Sequence, residues 1–223
     1  MKVNFKASGR LLLAPCLAVA LGAAARAQQP QAATQPQATQ PAAPKTAAEA
    51  LARYERAFAA AADPRQKFFL LTKLAATAVE AGEAERAKAY ARDLLARAPE
   101  MRQDWNYGNA VHVGNLVLGR VALAAGDAAE AKRLLLEAGN TPGSPQLNSF
   151  GPNMRLAKEL LEKGERDAVV RYLDAVARFW KAKTNRIDDW KAAIARGETP
   201  DFGPNLDVQF TTWRFQKWEK LQP

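Results

Sequence analysis

The apolar positions of this chain fall into helical runs that break at glycine. Leu51, Tyr54 and Phe58 recur at steps of three and four, which places them on one helix face. Thr46 with Glu49 fits a capping box at the start of that helix. Asp63-Pro64 stops it, or opens the next one with Pro64 in the first turn. From residues 66 to 81, Phe68, Leu71, Leu74, Ala75 and Ala78 form a second stripe, which Gly82 ends. Residues 84–98 form a third, with Ala87, Tyr90, Ala91, Leu94 and Leu95 inward and Pro99 closing it. Three times a helical run breaks at a glycine followed by an acid and resumes at once: Gly82-Glu83, Gly126-Asp127 and Gly164-Glu165. The pattern predicts an all-α chain of helical hairpins stacked in series.

The residues around each break keep a shared spacing. The first unit reads Leu71, Leu74-Ala75, Ala78, Gly82, Ala87, Ala91, Leu94-Leu95, Pro99. The second reads Leu118-Gly119, Ala122, Gly126, Ala131, Leu135, Ala138. The third reads Leu156-Ala157, Leu160, Gly164, Val169, Leu173, Ala177. Small residues let the two helices of a hairpin approach, and large ones fill the gap to the next hairpin. This text resembles the tetratricopeptide repeat in divergent form. From Trp105 to Trp180 it is also similar to a group of exported bacterial proteins with such repeats, a likeness that carries architecture and no activity. The resemblance implies a right-handed solenoid with a C-terminal capping segment, binding protein or peptide in a groove. The groove positions would be Phe69, Thr72 and Ala76, then Val113, Leu116 and Arg120, then Met154 and Lys158. Asn115 and Asn153 depart from the repeat, because each stands where a core apolar residue is usual. Arg120 and Lys158 occupy equivalent places and could meet an acidic group.

The two ends of the chain change the picture. Residues 1–27 combine a basic start (Lys2, Lys6, Arg10), an apolar run from Leu11 to Ala25 and the small-x-small sequence Ala25-Arg26-Ala27. That reads as a cleaved secretory signal, too short to span a bilayer, and implies a periplasmic or secreted protein. Cys16 is the only cysteine and lies in this leader. The remainder would then have no disulfide, thiolate ligand or cysteine nucleophile. The formal charge of +9 falls by four once Lys2, Lys6, Arg10 and Arg26 are set aside. What is left is mildly basic, with both signs interleaved along the helices, which argues against nucleic acid as a partner. Residues 28–45, rich in Gln, Pro and Ala, have nothing large to bury and read as a disordered linker. Residues 46–200 form the repeat domain. The C-terminal segment, 201–223, holds Phe210, Trp213, Phe215 and Trp218 within nine residues; Phe210, Trp213, Lys217 and Leu221 fit helical spacing with Trp218 beside them and read as a capping helix, with an aromatic, basic surface for a partner or membrane as the alternative.

Packing alone does not require the text between hairpins. Two inserts, residues 103–109 and 141–153, are rich in Asn, Gly and aromatics. Side chains of this kind cap helices and make turns, and on the rim of a solenoid they also suit peptide or glycan recognition. The candidate partner-binding residues are Trp105, Asn106, Asn109, His112, Asn115, Arg120, Gln146, Asn148, Phe150, Asn153 and Lys158. Phe-Gly-Pro-Asn occurs twice, at 150–153 and 202–205, and reads as a recurring cap before a helix. His112 is the only histidine. Asn109, His112 and Asn115 share roughly one helix face, and a lone histidine among amides reads as structural rather than as a metal ligand. No nucleophilic triad, His-Glu-x-x-His motif or phosphate-binding loop occurs. The expectation is therefore a non-enzymatic scaffold without cofactor or metal. It would bind a protein or peptide, and association with the cell envelope is compatible with this. An envelope glycan-binding protein or hydrolase working through the Asn-rich inserts is the alternative.

Overall fold

The computed structural model describes Pro44 and residues 46–207. The expectations for the leader, for nearly all of the linker and for the aromatic segment from Phe210 onward lie outside the described residues. Every regular element among them is helical: α1 (Ala47–Ala60), α2 (Pro64–Glu80), α3 (Ala84–Arg97), α4 (Tyr107–Ala124), α5 (Ala128–Gly139), α6 (Pro145–Phe150), α7 (Arg155–Glu162), α8 (Arg166–Val176) and α9 (Thr184–Ala195), with short 3-10 turns between some of them.

Local chemistry sets the helix limits. The Thr46 hydroxyl accepts from the Glu49 amide at the start of α1. Asp63 accepts from the Arg65 amide, with Pro64 in the first turn of α2. Each expected glycine break closes a helix by the same bond pair. At the first, Gly82 has φ +77° and the next amide, Glu83 N–H, donates back to Ala78 O at 2.9 Å. Glycine takes this left-handed conformation without the clash that a Cβ brings. Asp127 N–H donates likewise to Ala122 O, and Glu165 N–H to Leu160 O. The acid after the glycine caps the following helix only at Asp127, whose carboxylate accepts from the Glu130 amide. A fourth break, Gly197-Glu198, has the same geometry at the end of α9, and no helix resumes there.

Helices α2 and α3, α4 and α5, and α7 and α8 pack as hairpins; α4 also lies against α2 and α3, and α5 against α8. Small and large apolar residues beside the glycine breaks make these contacts. Ala75, Ala78, Ala87, Ala91 and Leu94 are fully buried, as are Ala131, Leu135, Ala138, Leu156, Leu160, Val169 and Leu173. Each buried Leu or Val contributes about 1.5–3 kcal/mol. Tyr90, Leu95, Leu118 and Ala122 are only half-buried. After α8 the chain builds an aromatic cluster, with Trp180 and Trp190 at 5.9 Å and Trp190 edge-on to Phe202 at 5.0 Å.

Candidate functional site

Helix α4 holds the most unusual polar chemistry. Its start and first turns present Asn106, Asn109, His112 and Asn115 at intervals of three. The first three are buried, and burial of such groups demands partners. Asn106 donates to the Thr72 hydroxyl of α2 at 2.9 Å. Asn109 donates to Asn106 Oδ1 and to Gln146 Oε1, both at 3.1 Å, and accepts from the Ser144 hydroxyl at 2.7 Å. His112 Nδ1 lies 3.0 Å from Ala138 O, and its Nε2 accepts from the Asn153 amide at 3.2 Å. A carbonyl faces one ring nitrogen and an N–H faces the other, so the neutral ring carries its proton on Nδ1. Tyr172 stacks on the ring at 6.4 Å and donates to Asn153 O at 3.0 Å. Burial pulls the imidazole down to about 4, against the smaller upward pull of its bond to Ala138.

These contacts tie residues 140–154 across the N-terminal half of α4. Thr141 donates to Gly108 O at 2.8 Å, and Ser144 caps α6 through the Leu147 amide. The fit leaves no room, since a Cβ on Gly108 would fall 1.7 Å from the Gly143 carbonyl oxygen. The two Phe-Gly-Pro-Asn copies meet at the far end of this segment. Asn205 of the second copy donates to Phe150 O and Pro152 O of the first, at 3.1 and 2.9 Å, and accepts from the Met154 amide. Asn153 accepts from the Arg155 amide and donates to Leu206 O. Asn153 thus closes a turn onto the Arg155 amide one residue ahead of Met154, the N-cap of α7, and Pro152 precedes the helix.

A second group of polar residues joins the first helices of the three hairpins. Arg120 of α4 reaches Glu80 of α2 at 2.6 Å and Glu159 of α7 at 3.0 Å. Arg155 adds contacts to Glu80 at 3.4 Å and Asp207 at 3.1 Å. Burial raises the Glu159 carboxyl, and the charge of Arg120 opposes that rise.

The eleven candidate residues thus divide. Asn106, Asn109, His112 and Asn153 are buried and bonded within the chain. Asn115 is half-buried and donates to Val111 O on its own helix. Gln146 is half-buried against Asn109. Arg120 sits in the ion-pair ladder, and Lys158 pairs with Glu162 of its own helix. Asn148 is exposed, with its amide turned to donate to Phe179 O and Ser144 O at 3.2 Å. Among the described residues, Trp105 and Phe150 are the large apolar side chains left most open, at 42% and 51%. Trp105 leans on Phe69 at 5.7 Å, beside the Arg65–Asp104 pair at 2.8 Å.

Of the expected groove positions, Thr72, Ala76, Val113, Leu116 and Met154 are buried. They do not form an open apolar channel; Phe69, Arg120 and Lys158 keep partial exposure. The contacts that tie residues 140–154 to α4, α8 and the second Phe-Gly-Pro-Asn copy make one polar joint, and Gly108, Ser144, Tyr172 and Asn205 belong to it without having been singled out as site residues by the sequence. The repeat of Phe-Gly-Pro-Asn was the one signal that pointed to Asn205. No group of three or more His, Cys, Asp or Glu side chains placed to hold a metal occurs among the described residues. None of their helices is long and apolar enough to cross a membrane. A shallow depression on α8 is lined by Asp167, Val170 and Arg171 and includes none of the joint residues. No protein-family model, curated protein or solved structure matches this chain.

Proposed function

We propose that this chain is an exported, non-enzymatic scaffold. In this reading its hairpins form a tetratricopeptide-like right-handed solenoid, closed by the C-terminal segment, that binds a protein or peptide partner. The observation that carries the reading is the Arg120 ladder. One side chain of α4 bridges to α2 on one side and α7 on the other, which suits first helices set side by side along one surface. Repeats stacked in that way present an extended face to a partner. The exposed Trp105 and the half-exposed Lys158 are the side chains best placed to meet one. Buried and mutually bonded, Asn106, Asn109, His112 and Asn153 serve the joint.

A photo-crosslinker at residue 105 or 158 of the exported protein tests this in envelope extracts. One partner should be captured saturably and displaced by excess unmodified protein. Capture of nothing saturable, together with turnover of an envelope substrate, would overturn the scaffold reading. A second reading, a glycan-binding protein, draws on Trp105 beside Phe69 and the Arg65–Asp104 pair, since an open indole flanked by polar groups suits sugar stacking. A melting-temperature rise with soluble glycan fragments, lost in Trp105→Ala, would move the assignment there.

A further inference from the structure

We propose that residues 140–154 are an acid-released strap over α4, with His112 as its catch. The proposal goes beyond the scaffold reading and does not depend on any partner. The strap is held to α4 by three side-chain bonds near its start, from Thr141, Ser144 and Gln146, and by the Asn153 amide near its end. It contains no charged residue. Of its bonds to α4, only that from the Asn153 amide ends on a group that titrates in mild acid. His112 Nε2 must keep its lone pair to accept from that amide. A proton there would set N–H against N–H in a site with no water-facing side, and Nδ1 is already committed to Ala138 O.

The surroundings offer nothing to hold a charged ring. From α5 the ring meets the Ala138 carbonyl, and from the strap the Asn153 amide. From α8 it meets Tyr172, whose phenol burial pushes well above its usual value, so it stays neutral throughout the acid range. Asn109 and Asn115, its neighbours on the same face of α4, are uncharged. Arg178 bonds the strap at Asn140, and Arg155 turns to Glu80 and Asp207; neither is among the groups that shift the imidazole. The folded imidazole titrates about 4, below the 6.5 of a free one. The native state therefore favours the neutral ring. The catch is at full strength above about pH 6.5 and weakens as pH falls towards 4. Release would expose the amides of Asn109 and Gln146, which the closed strap occupies with each other.

The single histidine makes the test unambiguous. In the full exported chain, the His112 ring protons should titrate by NMR with a midpoint near 4. Hydrogen-exchange protection of the Asn153 and Leu147 amides should fall on the order of 100-fold between pH 7 and pH 4, while the core amides of α2 and α3 stay protected. His112→Gln, which keeps a neutral donor and acceptor, should make strap protection independent of pH over this range. A midpoint near 6.5, strap protection unchanged down to pH 4, or simultaneous loss of protection in α2, α3 and the strap would each overturn the proposal. If the glutamine variant does not fold, the measurements on the unmodified chain decide alone.

Discussion

Single polar groups in this protein behave according to whether a partner reaches them. Asn106, Asn109 and Asn153 are buried and bonded, so their presence in the interior costs little. Thr77 is different. Its hydroxyl is buried on α2, and Oγ1 has no hydrogen-bond partner among the described residues. An unmade buried bond costs about 1–3 kcal/mol. Valine has the same branched shape and the same stiffness in a helix, and has no hydroxyl to desolvate. Thr77→Val should therefore raise stability by about 1 kcal/mol in urea unfolding, with the slope unchanged. A loss of stability would mean that the hydroxyl has a partner such as buried water.

At the scale of elements, close approach decides which changes are tolerated. Gly108 lies in the first turn of α4, where alanine would ordinarily favour the helix by about 1 kcal/mol. Its Cβ would however fall 1.7 Å from Gly143 O and 2.5 Å from the carbonyl carbon. The strap would have to lift, breaking the Thr141 and Ser144 bonds with it. Gly108→Ala should destabilise by about 2–4 kcal/mol. Gly126→Ala, at φ +88° with open space around it, should cost only about 1–2 kcal/mol. Chemical unfolding of both variants compares them, and equal losses would refute the strap contact.

The same contrast explains what was legible in the sequence. The glycine breaks, the stripe of Ala75, Ala78, Ala87 and Ala91, and the caps at Thr46 and Asp63 are local rules that a single segment obeys. They located the start of α1 and both ends of α2 and α3 to within two residues, and placed the turn between α4 and α5. Helix α6 escaped notice because Thr141 to Asn153 reads as turn chemistry throughout, and the Ser144 cap on Pro145 gave the one missed cue. The joint was illegible for a different reason. Thr72, Asn109, Ser144, His112, Tyr172 and Asn205 come from distant positions, and only folding brings them together. Burial at the groove positions was beyond local reading too: spacing places Val113 and Leu116 on a face of α4, but whether a neighbouring helix covers them depends on what packs there.

For the molecule as a whole, the question is how stability passes between hairpins. Arg120 ties α4 to α2 and to α7 at once, at 15% side-chain exposure, with Glu80 at 13% and Glu159 at 30%. Removing one partner from a desolvated network leaves charge uncompensated, so single substitutions cost more than the pairing itself supplies. Arg120→Met keeps most of the packing, takes from Glu159 its paired arginine and leaves Glu80 with Arg155 alone. It should lower stability by about 1–3 kcal/mol. Glu80→Gln alone should cost less, because Arg120 keeps Glu159. The double variant should cost less than the sum of the two, by a coupling of about 0.5–2 kcal/mol. Urea midpoints at low and high salt measure this; a coupling that disappears in salt would reduce Arg120 to a surface pair. Coupling that survives salt, with all helices still melting in one transition, would mean that the ladder helps the hairpins unfold as a unit rather than one by one.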